Sequence, residues 1–456
     1  MTVQELLDEG LALAAQGDFR AAGLSFCQAA KLDPNHPAPY QRLGEVLIPL
    51  EFWDDAEASF CKAIELQPHY PEAYDHLGVV LKKKNRIAEA EECFRQAIAQ
   101  RPDYAEAVHN LGNCLRLQNR FDEAEACYLR AMGLSPDLGQ PKFALATLYF
   151  LLGQYDKGWQ LYETRFRGQG KFRLDIPIWK DEDLTGRRIL LFYEQGFGDM
   201  IHFIRYAFQI ATLAAETTVW IQKPLERLLA GTQTAFSVCA NGREIDPRQF
   251  DYACSIFSLP GKMNTALKTI PNQIPYIQAD DALAAKWGKE INPLAGGRLK
   301  VGLVWAGNPK HLDDENRSIP FALIDCLFAV DKVFWVSLQV GKKEPVFSGI
   351  ADRLFDCSKE LVDFAETAAL IDNLDLVIAV DTAVAHLAGA MGKATWLLLP
   401  FRPEWRWGVE GQESLWYPTM RLFRQQKLSD WQEVLARVKS ALEDAVEGEA
   451  ERFFPR

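Results

Sequence analysis

Residues 68–101 read PHYPEAYDHLGVVLKKKNRIAEAEECFRQAIAQR, and residues 102–135 read PDYAEAVHNLGNCLRLQNRFDEAEACYLRAMGLS. Each segment is 34 residues long, and they align without a gap. Pro68 falls on Pro102, Gly78 on Gly112, Leu81 on Leu115, Ala90 on Ala124, Phe94 on Tyr128 and Ala97 on Ala131. Outward from this pair the register runs back through Pro34, Gly44, Leu47, Ala56, Phe60 and Ala63, and again through Gly10, Leu13, Ala22, Phe26 and Ala29. It runs forward to Pro136 and a fifth, worn copy with Leu145, Ala146, Tyr149 and Tyr162 in phase.

The pattern resembles the tetratricopeptide repeat (TPR). Its physical content stands without the name. Each unit carries two helical patterns, small residues let paired helices approach, the aromatic fills the gap between units, and proline stops the second helix. One such unit cannot bury its apolar face alone, so the units stack into a solenoid with a concave groove. The expectation is an α-solenoid of about five repeats over 1–170, with Gln41, Glu45, Asp75, Lys82, His109, Asn113 and Arg116 on the inner helices. Such a groove serves as a docking surface for a protein or peptide partner, although a solvated helix face would show the same residues.

The whole chain has 456 residues and a formal net charge of −12, which argues against a nucleic-acid partner. Residues 1–170 hold 17 Lys and Arg against 24 Asp and Glu, so the array is itself mildly acidic. Nine cysteines are scattered without a CxxC pair, which excludes a disulfide frame or cysteine metal site as the organising device. The acidic first ten residues lack the basic start of a signal peptide, and no apolar run reaches transmembrane length. A cytoplasmic location follows as the expectation, with peripheral contact at a membrane left open.

Beyond residue 170 the helical period ends. Residues 171–186 read as a linker. Asp181-Glu182-Asp183 matches a DxD pattern there, but it precedes the first strand and reads as solvated charge, so no metal site is expected. Apolar runs of strand length follow at 188–193, 217–222, 236–241 and 250–257, then at 299–306, 332–338, 374–380 and 395–399. Helical stretches at 200–214, 321–330, 364–373 and 383–391 separate them. Two βα series imply two Rossmann-like lobes, over 187–292 and 293–456, with a helix at 429–447 packing back across them. The fold class is therefore α plus α/β.

Ligands in such sheets bind at the carboxyl ends of strands. After the first strand comes Glu194-Gln195-Gly196-Phe197-Gly198-Asp199, whose Gly196 and Gly198 permit a tight turn and close approach of a ligand. Asp199 opens a helix, as a cap or as a catalytic carboxylate. The strand at 299–306 leads into Trp305-Ala306-Gly307-Asn308-Pro309-Lys310, and Arg317 follows. Lys310 and Arg317 can neutralise phosphate charge. The strand at 374–380 ends in Asp381-Thr382-Ala383, with His386 one turn into a helix whose free N–H groups suit a diphosphate. Arg402 and Trp405 lie in an aromatic loop that could stack a base or sugar, as could Trp305, although tryptophan packing is the simpler reading.

These three motifs resemble glycosyltransferase family 9, the heptosyltransferase-like group with the GT-B fold, in its bacterial branch with TPRs ahead of the transferase. The resemblance covers roughly 187–426 and is most specific at Gly198-Asp199, 305–318 and 381–392. The domain order also resembles O-linked N-acetylglucosamine transferase. That enzyme's asparagine ladder is replaced by Arg42, His76 and Asn110, and no catalytic residue is carried over from it. The resemblance implies an inverting transferase with a nucleotide-sugar co-substrate, no cofactor and no metal. Asp199 would be the base at an acceptor hydroxyl, with Asn308, Lys310, Arg317, Asp381, Thr382, Ala383 and His386 toward the donor. The acceptor could be a protein recruited by the array, or a glycan or lipid-linked sugar. A non-catalytic scaffold retaining the fold is the competing class.

Overall fold

The computed structural model describes residues 1–166, 175–232, 234–240, 242, 245–311, 313–341 and 354–448. Ten of its helices carry the repeat register: α1 (Val3–Ala15), α2 (Phe19–Leu32), α3 (Pro37–Leu47), α4 (Trp53–Leu66), α5 (Pro71–Lys83), α6 (Ile87–Gln100), α7 (Ala105–Leu117), α8 (Phe121–Leu134), α9 (Gly139–Leu151) and α10 (Tyr155–Tyr162). The second helix of each of the first four pairs stops two residues before the repeat proline. The last residue before each proline is extended, with ψ of 94° at Asp33, 89° at Gln67, 90° at Arg101 and 87° at Ser135. That is the conformation a following proline imposes.

Inside each pair the repeat glycine lies against the repeat aromatic. A Cβ on Gly44 would sit 2.6 Å from Phe60, and one on Gly78 would sit 2.7 Å from Phe94. The aromatic therefore fills the space within its own pair, and Phe60 also stacks on His76 of the next, with centroids 5.4 Å apart. A further register was not read from the sequence. Positions 17, 51, 85, 119 and 153, which turn each first helix into its second, all have positive φ. Gly, Asn, Asn and Gly occupy four of them, and Glu51 holds the fifth at φ 61°. Odd-numbered helices of neighbouring pairs touch one another, from α1–α3 to α5–α7, more closely than the even-numbered ones do. The odd helices therefore line the concave side.

The chain divides into two units. Met1–Tyr149 and the segment beginning at Leu161 form the helical array, while Phe150–Gln160 belong with the α/β unit. Phe150 packs on Trp405 at 4.8 Å, Tyr155 stacks on Trp416 at 5.9 Å, and the Trp159 indole donates to Thr265 O at 3.0 Å. Phe150, Tyr155 and Trp159 are thus part of the α/β unit's own core, while Tyr149 and Tyr162 stay with the helical array.

The α/β unit holds two parallel sheets. The first contains β1 (Arg188–Phe192), β2 (Glu216–Ile221), β3 (Ser237–Ala240) and β4 (Tyr252–Ser255), in the order β3-β2-β1-β4. The helices α11 (Phe197–Phe203), α12 (Arg205–Ile210), α13 (Glu226–Gly231) and α14 (Leu259–Lys262) accompany it. α15 (Asp281–Ala295) comes next and contains Pro293, so residue 293 lies in a helix rather than at a break. The second sheet contains β5 (Leu299–Val304), β6 (Val333–Ser337), β7 (Leu354–Asp356), β8 (Leu376–Val380), β9 (Thr395–Leu399) and β10 (Met420–Arg424), in the order β10-β9-β8-β5-β6-β7. With it run α16 (Asp314–Arg317), α17 (Phe321–Ile324), α18 (Phe364–Asp372), α19 (Ala383–Ala390) and α20 (Trp431–Val446).

Several expectations change. β7 and β10 were not anticipated, since one has three residues and the other carries Arg421 and Arg424. The helix expected over 200–214 starts earlier and breaks at Ile204. α20 packs its apolar face into the core of the second sheet with Trp335, Ile378 and Trp396 instead of lying across both sheets. Of the expected linker, 171–174 lie outside the described residues. Further on, Trp179 N donates to Ala253 O at 2.9 Å and Ala253 N to Pro177 O at 2.8 Å, so this stretch is stitched to the edge of β4. Of the acidic triplet, Asp181 pairs with Lys262 at 2.9 Å and Asp183 caps Thr185 N at 3.0 Å, both ordinary structural roles.

Candidate functional site

In a parallel sheet, the crevice lies where strand order reverses, outside the carboxyl ends. Counted from its own first strand, the second sheet reads 3-2-1-4-5-6 from β7 to β10, and the first reads 3-2-1-4. The reversals fall between β1 and β4 and between β5 and β8. All three sequence motifs leave strands at these points: 194–199 after β1, 305–317 after β5 and 381–386 after β8.

The motifs after β1 and β8 meet. A Cβ on Gly198 would lie 3.0 Å from His386 Cδ2 and 3.4 Å from Ala383 Cα, so α11 and α19 cross at a point where only glycine fits easily. Gly198 serves this close approach of two helices. Gly196 has φ −71° and no such crowding, so neither turn strain nor helix contact explains it.

Asp199 accepts from Gly196 N at 3.2 Å through Oδ2, and Arg406 Nη2 reaches its Oδ1 at 2.5 Å. Arg406 is nearly buried, with its other terminal nitrogen 2.7 Å from Glu404 Oε1 and its guanidinium over Trp405 and Phe203. The Glu404 side chain keeps 34% of its exposure, yet loss of water still pushes its carboxyl up to about 7, against the pull of Arg406. Asp381 is raised by burial, opposed by the Trp407 indole, Arg406 and Arg317. Trp407 Nε1 donates to Asp381 Oδ2 at 2.9 Å, and Arg317 Nη1 donates to Asp381 O at 3.0 Å.

His386 stacks on Trp407 with centroids 5.3 Å apart, and its Nε2 faces Asp381 Oδ1 at 3.7 Å. Its Nδ1 and that of His202 both lie 3.0 Å from the Tyr417 hydroxyl. One hydroxyl donates only once, so at least one imidazole presents its N–H to the phenol. Burial, with Arg205 and Arg406 nearby, holds both histidines well below their usual pKa and therefore neutral. Thr382 precedes α19 without capping it, and its buried Oγ1 has no hydrogen-bond partner. A ligand atom at the start of α19 would find an open hydroxyl there.

The remaining expected residues divide. Arg317 joins the site, wedged with Asp314 against Gly307, where a Cβ would sit 2.4 Å from Asp314 Oδ1. Asn308 and Lys310 stay exposed in a turn, with Lys310 N donating to Asn308 Oδ1 at 3.0 Å. Arg402 O accepts from Asn316 Nδ2 at 3.2 Å, which ties the loops after β5 and β9 together. Trp305, expected as a base or sugar contact, follows the end of β5 and is 3% exposed in the core of the second sheet, tilted on Phe321 at 5.1 Å. Trp405 likewise packs among Phe150, Trp159 and Trp416. Residues 405–407 form a single 3₁₀ turn, whose alternation sends Trp405 inward and Trp407 to Asp381. Trp407, Arg406, Glu404 and Tyr417, which the sequence reading did not single out, lie beside Asp199, Asp381 and His386. No group of three or more His, Cys, Asp or Glu poised for a metal occurs among the described residues.

A tetratricopeptide-repeat model matches residues 76–138. The helical array is built of tetratricopeptide repeats. Solved TPR structures cover about a third of this chain. They include TTC0263, a thermophilic TPR protein of Thermus thermophilus, at 25% identity over 37% of this chain and 93% of that one, with a TM-score of 0.33. PilW, a type IV pilus biogenesis factor, is 27% identical over 36% of this chain and 77% of its own, with a TM-score of 0.34. Protein FlbA of Caulobacter vibrioides is 27% identical over 334 residues, which are 66% of this chain and 55% of that protein. The chain thus spans about half the length of this curated relative. No helix among the described residues is long and apolar enough to cross a membrane.

Proposed function

We propose that the α/β unit is an inverting, metal-independent glycosyltransferase of GT-B type, resembling family 9. It would move a sugar from a nucleotide-sugar to a hydroxyl, on a protein recruited by the TPR array. The observation that carries this reading is the crossing of α11 and α19, which sets Asp199 beside the N-terminus at Thr382 and Ala383. Asp199 takes the proton of the acceptor hydroxyl, whose oxygen bonds to the anomeric carbon as the bond to the diphosphate breaks. The N–H groups opening α19, the Thr382 hydroxyl and the Arg317 and Arg406 guanidiniums stabilise the departing charge. Arg406 must first release Asp199, and a donor diphosphate offers it a stronger anion.

The same 2.5 Å pair favours a second reading. A carboxylate tied to a buried arginine is an ordinary structural pair, and a TPR scaffold that retains the fold without chemistry would keep it. The test is product formation by the full chain with a panel of UDP-, GDP-, ADP- and CMP-sugars, including slow donor hydrolysis. Transfer that falls about 10²-fold or more in Asp199→Asn, with the melting curve unchanged, supports the enzyme. Equal turnover by wild type and variant removes Asp199 as the base, and no turnover with any donor leaves the scaffold.

A further inference from the structure

Three buried side chains from separate stretches of the α/β unit converge on one hydroxyl proton. Tyr417 lies between β9 and β10, His202 in α11 and His386 one turn into α19. The Tyr417 ring is held by close packing, since a Cβ on Gly389 would sit 2.7 Å from it. Burial keeps the phenol well above its usual pKa, so it has one proton to give. Both imidazoles are neutral, so each carries a single N–H. The nearby Tyr276 hydroxyl does not compete for these bonds. It lies 3.5 Å from that of Tyr417, accepts from Arg205 Nη2 at 2.9 Å and donates its own proton to Ile201 O at 3.0 Å.

The far side of each ring decides which way the proton goes. His386 Nε2 faces Asp381 Oδ1 at 3.7 Å, where an N–H is attracted and a bare lone pair is repelled. His386 therefore carries its proton on Nε2, and its Nδ1 accepts. His202 Nε2 is buried without a hydrogen-bond partner. An N–H stranded there is the rarer and costlier state, so His202 carries its proton on Nδ1. The two arguments are independent and agree. They give one polarised chain, from His202 Nδ1–H to the Tyr417 oxygen and from the Tyr417 O–H to His386 Nδ1, each step 3.0 Å long. The Arg205 guanidinium, 4.6 Å from the centre of the Tyr417 ring, adds positive charge beside the phenol and makes it a better donor.

We propose that Tyr417 is a positioning residue for His386: its hydroxyl, anchored from behind by His202, fixes the imidazole as the Nε2–H tautomer and turns that N–H toward the start of α19. At 3.7 Å the approach to Asp381 is too long for a hydrogen bond, so the N–H keeps its donor capacity for an anionic oxygen arriving there. The same ring edge carries Cδ2, which lies 3.0 Å from the place of a Cβ on Gly198, at the crossing of α11 and α19. A neutral donor of fixed direction adds a hydrogen bond without adding a cation beside Arg317 and Arg406. That the oxygen belongs to a donor diphosphate rests on the function proposed above. The tautomer pair does not.

The test is long-range proton–nitrogen correlation NMR of the full chain with isotope-labelled histidine, without donor, assigned through His202→Gln and His386→Gln. Opposite tautomers are expected at neutral pH, Nδ1–H in His202 and Nε2–H in His386. The same tautomer in both rings, the reversed pair, or a protonated His386 overturns the proposal. Tyr417→Phe keeps the ring and removes the hydroxyl, so the His386 signals should move toward a mixture of tautomers. An unmoved His386 spectrum in that variant refutes the phenol as the group that fixes it, and the wild-type spectrum decides alone if the variant does not fold. Inorganic pyrophosphate, titrated by calorimetry, probes what the N–H is for. Its affinity should fall about tenfold in Tyr417→Phe, the worth of one hydrogen bond. Equal affinity in the variant, or no binding to wild type, refutes that role. Neither readout requires sugar transfer, so failure of the transferase reading is a separate result.

Discussion

Substituting Gly78 by alanine should destabilise the array, and the size of the loss can be worked from one contact. The added methyl would sit 2.7, 2.8 and 3.0 Å from three ring carbons of Phe94, about 1 Å inside normal carbon contact. The ring is fully buried and cannot swing to solvent. Overpacking of this kind costs about 1–3 kcal/mol. Against it, alanine gains about 1 kcal/mol over glycine inside a helix. A net loss of about 1–2 kcal/mol is expected in urea unfolding followed by circular dichroism. The decisive comparison is a double-mutant cycle with Phe94→Leu, which removes the ring that the methyl strikes. Gly78→Ala should then lose most of its cost or turn stabilising, with a coupling of about 1 kcal/mol or more. Additive effects, or a single alanine variant as stable as wild type, would show that the recurring glycine is not there for the aromatic.

Glu51→Asn relieves a left-handed backbone position that asparagine tolerates better, and should raise array stability by about 0.5–1 kcal/mol in the same urea assay. A neutral result would mean that Glu51 has compensating contacts. Glu404 has its folded pKa raised from 4.5 to about 7, so its stabilising contribution is full below pH 4.5 and is lost as pH rises through 7. The full shift corresponds to about 3 kcal/mol. With a third of the side chain exposed, about 1 kcal/mol is the realistic figure. Glu404→Gln should flatten the decline in melting temperature between pH 5 and 8, and an unchanged slope would place that titration elsewhere.

The array was legible because its signals are local and repeated. Proline, glycine and aromatic at fixed spacing each answer to one steric fact, and Gly44 against Phe60 shows the fact directly. The turn register at 17, 51, 85, 119 and 153 escaped notice because three residue types occupy it, although Asn85 and Asn119 carried the hint. In the α/β unit the buried strands announced themselves as apolar runs, while β7 was too short and β10 too basic to do so. Asp199, Gly198, Asp381 and Thr382 could be found from strand ends alone. Arg406, Glu404 and Trp407 could not, because their placement depends on which way a three-residue turn faces once β9 and β1 are brought together in space.

Phe150, Tyr155 and Trp159 lie within the span of the fifth repeat but fold into the core around Trp405 and Trp416. Dissecting the protein where its period fades, near residue 170, would therefore remove part of the enclosure of the loop that carries Arg406 and Trp407. A fragment begun there would lose candidate-site activity for a reason unrelated to partner recruitment. Module boundaries drawn from repeat statistics are safe cleavage points only when the last repeat has not been conscripted by its neighbour.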